Sequence, residues 1–232
     1  AAVAETSSAP VVLLLFAGRP RVGSVAAHLR AAGAQVLEVD VLIGGRFHDL
    51  TDQTEHGIAM HLLQACRHGD FVAIHTAVPC ETWSVGLEPG YQMRASWAWM
   101  GIPGLPAEMA AKCRLHNALL ALSLDMCALV VASGGEATVE NPSWRGDPAE
   151  PRTYWAAKSQ HASIFMRTGD AFTIDMVREY AAEVGAVLVT TPMCAFGAPW
   201  QKYISVLASP GAALVLQPSH AYVCTHGKHA EV

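Results

Sequence analysis

The stretch FVAIHTAVPCETWS, residues 71–84, decides how the rest of the chain is read. Its first half is an apolar, β-branched run of the kind that forms a buried strand, and it breaks at Pro79 onto Cys80. A strand here delivers a thiol to its carboxyl end, which in open α/β sheets is the edge where ligands bind. Free cysteine is also among the most buried residue types, so Cys80 taken alone reads as a small core residue more readily than as a nucleophile. Its neighbours in the chain change that weighing.

Upstream, VVLLLFAG (11–18) is a first buried strand ending on Gly18, and RPRVGSVAAHLRAAGA continues with helix periodicity through Val25, Leu29 and Ala32, with Gly33 as its stop. Strand, Gly-containing turn and helix open a nucleotide-binding βαβ unit, where backbone N–H groups and the helix amino terminus approach the ligand. GRPRVG is not GxGxxG, and the pattern by itself is common to α/β proteins. QVLEVD (35–40) is a second strand ending in two carboxylates. An acidic residue about twenty positions past the first glycine suits a ribose, and Gly18 to Glu38 has that spacing; a solvated strand end fits equally well. FHDL (47–50) puts Asp49 in the following loop, and 54–68 is an amphipathic helix whose His56, His61 and His68 read as surface residues.

Downstream, 85–110 is a Gly-, Pro-, Trp- and Met-rich loop over the site, and 107–128 is the most periodic helix of the chain. ALVVA (128–132) reads as a strand, and after a Gly-Gly bend TVENP (138–142) brings Glu140 and Asn141 to another strand end. Residues 144–166 are irregular around a central helix, 175–185 is a helix, AVLVTTP (186–192) a strand, and CAFGAPWQKYISVLAS (194–209) a turn and the last strand. The alternation predicts an α/β domain over 11–209, preceded by a lead-in (1–10) and followed by a tail (210–232). In that tail Cys224, His226 and His229 form a compact CxHxxH to which Cys194 could add a fourth zinc ligand, although scattered tail histidines are usually solvated.

Composition bounds the function. With 52% hydrophobic and 15% charged residues the 232-residue chain is core-rich and needs no more than one domain. No uninterrupted apolar run reaches the ~18 residues of a membrane span, and no basic signal-like segment opens the chain, so no membrane partner is expected. Cysteines 66, 80, 113, 127, 194 and 224 lack CxxC spacing, which suits a reducing, intracellular compartment. The 15 Lys+Arg against 20 Asp+Glu, net −5, give no sign of the basic face that a nucleic-acid partner usually requires.

Four segments nevertheless stand together in order. FAG at 16–18, ExD at 38–40, PCETWS at 79–84 and VENP at 139–142 resemble the cytosine-5 DNA methyltransferases in order and approximate spacing, and FGAPWQKYISVLAS is similar to the segment that closes their catalytic sheet. The string PCETWS, WMGIPGLP, HNALL, ENP and CxHxxH also resembles methylase-like domains of algal and dinoflagellate retroelements. The resemblance implies a three-layer Rossmann-like methyltransferase fold, a mostly parallel sheet with helices on both faces. It implies S-adenosylmethionine over Phe16, Ala17, Gly18 and Pro79, with Glu38 on the ribose and Asp49 on the adenine amine. Cys80 would be the nucleophile and Glu140 the acid. Cytosine C5 is unreactive until a thiolate adds to C6, and an acid at N3 stabilises the charge so created; a glutamate in that role must keep its proton, which burial favours.

The sequence also departs from the family. Leu15 stands where an Asp is expected, Pro20 and Arg21 replace loop glycines, Gln201-Lys202 is all that remains of an Arg-rich segment, and only 24 residues follow Ala208, too few for a target-recognition domain. DNA or single-stranded nucleic acid is then the expected substrate with help from a fused partner that flips the base. The rival reading is an inactive scaffold domain of a retroelement or viral polyprotein. A cysteine hydrolase is disfavoured, since His75, five residues before Cys80 in the same strand, points to the opposite face.

Overall fold

The computed structural model describes residues 9–83, 93–95, 98–142, 171–196 and 203–222. In chain order they form β1 (Val11–Leu15), α1 (Val25–Ala31), β2 (Gln35–Val39), α2 (Val41–Gly44), α3 (Ile58–His68), β3 (Ala73–Thr76), α4 (Ala107–Ala132), β4 (Glu136–Pro142), α5 (Asp175–Val184), β5 (Val187–Pro192), β6 (Tyr203–Ala208) and α6 (Pro210–Leu216). The sheet order is β2-β1-β3-β4-β6-β5. β2, β1, β3 and β4 run parallel, whereas β6 lies antiparallel to both β4 and β5. This is a Rossmann-like methyltransferase fold with one reversed strand. The chain leaves β1 towards β2 on one side and returns to β3 on the other, so the carboxyl ends of β1 and β3 flank the switch point where such sheets open a crevice.

The two faces are covered differently. Val12 and Leu14 pack with Ala26 of α1 on one face; Leu13, Leu15, Ile74, Val139 and Leu207 face the larger core beneath α3, α4 and α5. α4 is buried around most of its girth, Leu119, Leu120, Leu124, Met126, Cys127 and Val130 among its enclosed residues. That is the pattern of a central helix. Among the described residues it is also long and apolar enough to cross a membrane, its apolar residues being interrupted by isolated polar ones, yet more than half of its most apolar window is buried inside the domain.

The expected strand at 128–132 is instead the last turn of α4. Its β-branched valines satisfy both patterns, and the helix wins because it continues an unbroken 26-residue element. The Gly-Gly bend then brings the backbone close: a Cβ on Gly135 would lie 2.7 Å from Val130 Cγ1 and 3.0 Å from the Phe71 carbonyl oxygen. His56, His61 and His68 are exposed, as expected. The expected helix within 144–166 lies outside the described residues.

The sheet-packed chain extends beyond 209. α6 packs against β4, β5 and β6, on the face opposite α4. Ser209 joins it to the sheet: its hydroxyl donates to Glu136 and accepts from the buried Ala137 N–H at 2.9 Å. Ser209→Ala strands that N–H and is expected to cost about 1–3 kcal/mol in urea unfolding; an unchanged midpoint and slope would show that the hydroxyl is dispensable.

Candidate active site at the β1, β3 and β4 strand ends

The loop after β1 is set by backbone conformation. Phe16 has φ of 58°, a left-handed conformation uncommon for a non-glycine residue, and Gly18 has φ of 71°. Phe16 N–H donates to the Val39 carbonyl at 2.8 Å, and Gly18 N–H to Asp40 Oδ2 at 2.9 Å. The other Asp40 oxygen accepts from Leu42 N–H at 2.7 Å, capping α2, and the Asp40 N–H donates to His48 Nδ1 at 3.3 Å. A Cβ on Gly18 would meet nothing within 4 Å, so open space lies over the loop and only its backbone angle favours glycine. Left-handed strain held at a strand's carboxyl end is a feature of ligand-binding loops.

The acidic residues divide in a way that spacing alone does not foresee. Glu38 lies on the α1 face of β2, where its carboxylate pairs with Arg30 at 2.5 Å and keeps 12% side-chain exposure. It therefore faces a helix, not the crevice. Asp40, one residue beyond β2, is the carboxylate joined to the Phe16–Gly18 loop. Asp49 closes a local turn, one oxygen accepting from the Thr51 N–H at 2.9 Å and the Thr51 hydroxyl at 2.6 Å.

Cys80 and Glu140 lie at the carboxyl ends of neighbouring parallel strands. Thr76 is in register with Val139, so Glu140 is one step beyond the last pair of β3 and β4, and Pro79 and Cys80 follow β3 directly. Both side chains are partly exposed. Asn141, 1% exposed, donates through Nδ2 to the Val78 carbonyl at 3.2 Å and ties the Pro-Cys turn to β4. Its Oδ1 is buried without a hydrogen-bond partner among the described residues. His75 projects from the same face as Thr138 and accepts or donates a hydrogen bond with its hydroxyl at 2.9 Å. Burial pushes its imidazole down to about 4, so it is a neutral structural group near pH 7.

The three residues after Cys80 dock on the amino-terminal half of α4. Glu81 pairs with Lys112, Thr82 Oγ1 lies 3.0 Å from His116 Nδ1, and Trp83 packs under the guanidinium of Arg94, 3.4 Å from the ring centroid. Arg94 reaches Asn117 Oδ1 at 2.6 Å and the Cys113 carbonyl at 3.0 Å, and also donates to the Trp99 carbonyl. Burial, then the Arg94 charge, pushes His116 down to about 4. Sequence reading did not single out Arg94, Lys112 or His116 as site residues; the signal available was the HNALL string itself.

The zinc reading is not supported. Cys194 is buried in the turn Met193–Phe196, Cys224, His226 and His229 lie outside the described residues, and among the described residues no three His, Cys, Asp or Glu side chains cluster.

The crevice of this Rossmann-like sheet has a strained loop and a carboxylate on one side of the switch point and a thiol and a carboxyl group on the other. No family model matches the chain, and no curated protein matches it. Among solved structures it is similar to the Dnmt2 methyltransferase of S. pombe, with 13% identity and a TM-score of 0.42 over 95% of this chain. The chain spans 58% of that protein's length. The fold assignment rests on the strand order and the reversed β6, independently of this likeness.

Two histidines, His116 buried and His75 half-buried in the sheet face, make stability depend on pH. Each has a folded pKa near 4 against about 6.5 unfolded, so below 6.5 the unfolded chain binds more protons and stability falls. Between pH 6.5 and 5 the loss is expected to be about 1.5 kcal/mol per histidine, ahead of most carboxylate titration. Urea unfolding at stepped pH measures it, and a flat profile over that window would contradict the burial of both rings.

Proposed function

We propose that the chain is an S-adenosylmethionine-dependent cytosine-5 methyltransferase-like domain acting on DNA or single-stranded nucleic acid. The observation that carries this reading is the meeting of the Cys80 turn with the Glu140–Asn141 strand end, through the Asn141 to Val78 hydrogen bond, beside the Phe16–Gly18 loop. The cofactor, when bound, supplies an electrophilic methyl group. The chain's residues fit it: the open space over Gly18 lets the group approach the backbone, and Asp40, already directed at that loop, is the carboxylate for the ribose in place of Glu38.

Cys80 adds as thiolate to C6 of the cytosine while Glu140 donates its proton, or a hydrogen bond, to N3. The electron pair so raised at C5 would take the methyl group that the bound cofactor supplies, the cofactor leaving as its neutral thioether. Transfer of the C5 proton to water and return of the N3 proton to Glu140 would then expel the Cys80 thiolate and restore the ring. Asn141 holds the turn that carries the thiol. Base flipping and target choice fall to a fused or separate partner, because the chain's net charge of −5 offers little grip on phosphates.

An oligonucleotide carrying 5-fluorocytosine, with cofactor, is expected to trap a covalent adduct at Cys80, since fluorine blocks the final elimination. Cys80→Ser abolishes the adduct, and Glu140→Gln slows it by ~10²–10⁴-fold. Absence of adduct with single-stranded and duplex DNA, although cofactor binds, would instead support the inactive-scaffold reading.

Cofactor affinity should separate the two carboxylates. Asp40→Ala is expected to weaken S-adenosylmethionine binding by about 1.5–3 kcal/mol, the worth of hydrogen bonds to a charged group. Glu38→Gln should leave it nearly unchanged. Thermal shift against cofactor concentration reads both, and the reverse ranking would return the ribose to Glu38.

A further inference from the structure

Three consecutive side chains after the nucleophile candidate each meet a partner on or against one face of a single helix. Lys112 and His116 are four apart on α4, as are Cys113 and Asn117, so both pairs project towards the same side. Glu81 takes Lys112 at the outer rim. Thr82 and His116 meet deeper, 0% and 5% exposed. Trp83, 2% exposed, lies under Arg94, itself 1% exposed, whose guanidinium fork is spread over Asn117, the Cys113 carbonyl and the Trp99 carbonyl. The turn closes on itself through the Trp83 N–H donating to the Cys80 carbonyl at 2.9 Å.

A buried guanidinium is an expensive way to cover a tryptophan ring. An apolar side chain of similar size covers it without the desolvation cost, and such replacements in other proteins are often neutral or stabilising. What a guanidinium adds is direction: stacked on one ring and forked to fixed acceptors, it allows one orientation of Trp83 relative to α4. Thr82 and the neutral His116 fix the preceding residue in the same way. The Cys80 turn is then referenced to a rigid helix and not to a loop, which is how a reacting group is held to a fraction of an ångström.

We infer that Arg94, His116 and Thr82 are positioning residues for Cys80, a clamp that orients the thiol-bearing turn on α4. The inference rests on the reading of Cys80 as the reacting thiol, but its test separates the two. The probe is iodoacetamide, and alkylation is quantified at each cysteine by peptide mass spectrometry of the full chain. Cys66 and Cys127, at 0% exposure in the core, serve as the internal measure of global opening.

Thr82→Val removes the hydroxyl at nearly constant volume, Thr82→Ser keeps it, and Arg94→Met keeps bulk without the fork. The clamp requires that Thr82→Val and Arg94→Met raise Cys80 alkylation about tenfold or more with Cys66 and Cys127 still protected, and that Thr82→Ser return it to the wild-type rate. Wherever the wild type forms the fluorocytosine adduct, the same variants should lose ~10²-fold in its rate without weakening cofactor binding. If Arg94→Met also exposes the core cysteines, the Thr82 pair decides alone. Cys80 alkylation within twofold of wild type in folded Thr82→Val overturns the clamp, whatever the adduct shows. A clamp that passes in a chain forming no adduct overturns the catalytic reading and leaves the positioning intact.

Discussion

The hydrogen bond from the Asn141 amide to the Val78 carbonyl is the constraint on which the site depends. A parallel sheet brings all its carboxyl ends to one edge, but it does not fix the loops that leave them. Asn141, almost fully buried, joins the loop leaving β3 to the end of β4 and so makes one object of Pro79, Cys80 and Glu140. Among the described residues the buried Oδ1 of the same side chain meets no hydrogen-bond donor. A second tie acts from the other side of the switch point, where Asp40 holds the Gly18 amide and with it the left-handed turn at Phe16.

These ties divide the labour between the faces of the sheet. The α4 face carries the mass of the core and the helix on which the Cys80 turn is docked. The α1 face carries a small apolar cluster, the Arg30–Glu38 pair and the neutral His75. The candidate site residues thus gather at the strand ends, while the charged and polar groups named within the faces pair with neighbouring elements.

Much of this was legible in the sequence because it is local. β-branched runs ending on Gly18, Asp40, Pro79 and Pro142 gave strands with chemically useful ends, and the parallel order follows from their alternation with helices. The parts that were not legible depend on partners from distant elements. Spacing pointed to Glu38 and could not show that Arg30 reaches over from α1 to pair with it, while Asp40 meets the Gly18 amide. Arg94 lies in the Gly-, Pro-, Trp- and Met-rich stretch 85–110, where no local pattern marks it; only the fold lays it on Trp83. ALVVA satisfied two patterns at once, and the helix before it settled the matter. The strings PCETWS, WMGIPGLP and HNALL, separate in the sequence, meet in one knot where Asn117 touches both Arg94 and Met100.

The central claim is that the crevice between the β1 loop and the Cys80 turn is built for S-adenosylmethionine. Isothermal calorimetry of the full chain with the cofactor tests it most directly. The account requires saturable binding with one site per chain. No heat of binding at millimolar cofactor, from protein that unfolds cooperatively in the same buffer, would contradict it and leave the fold as a scaffold.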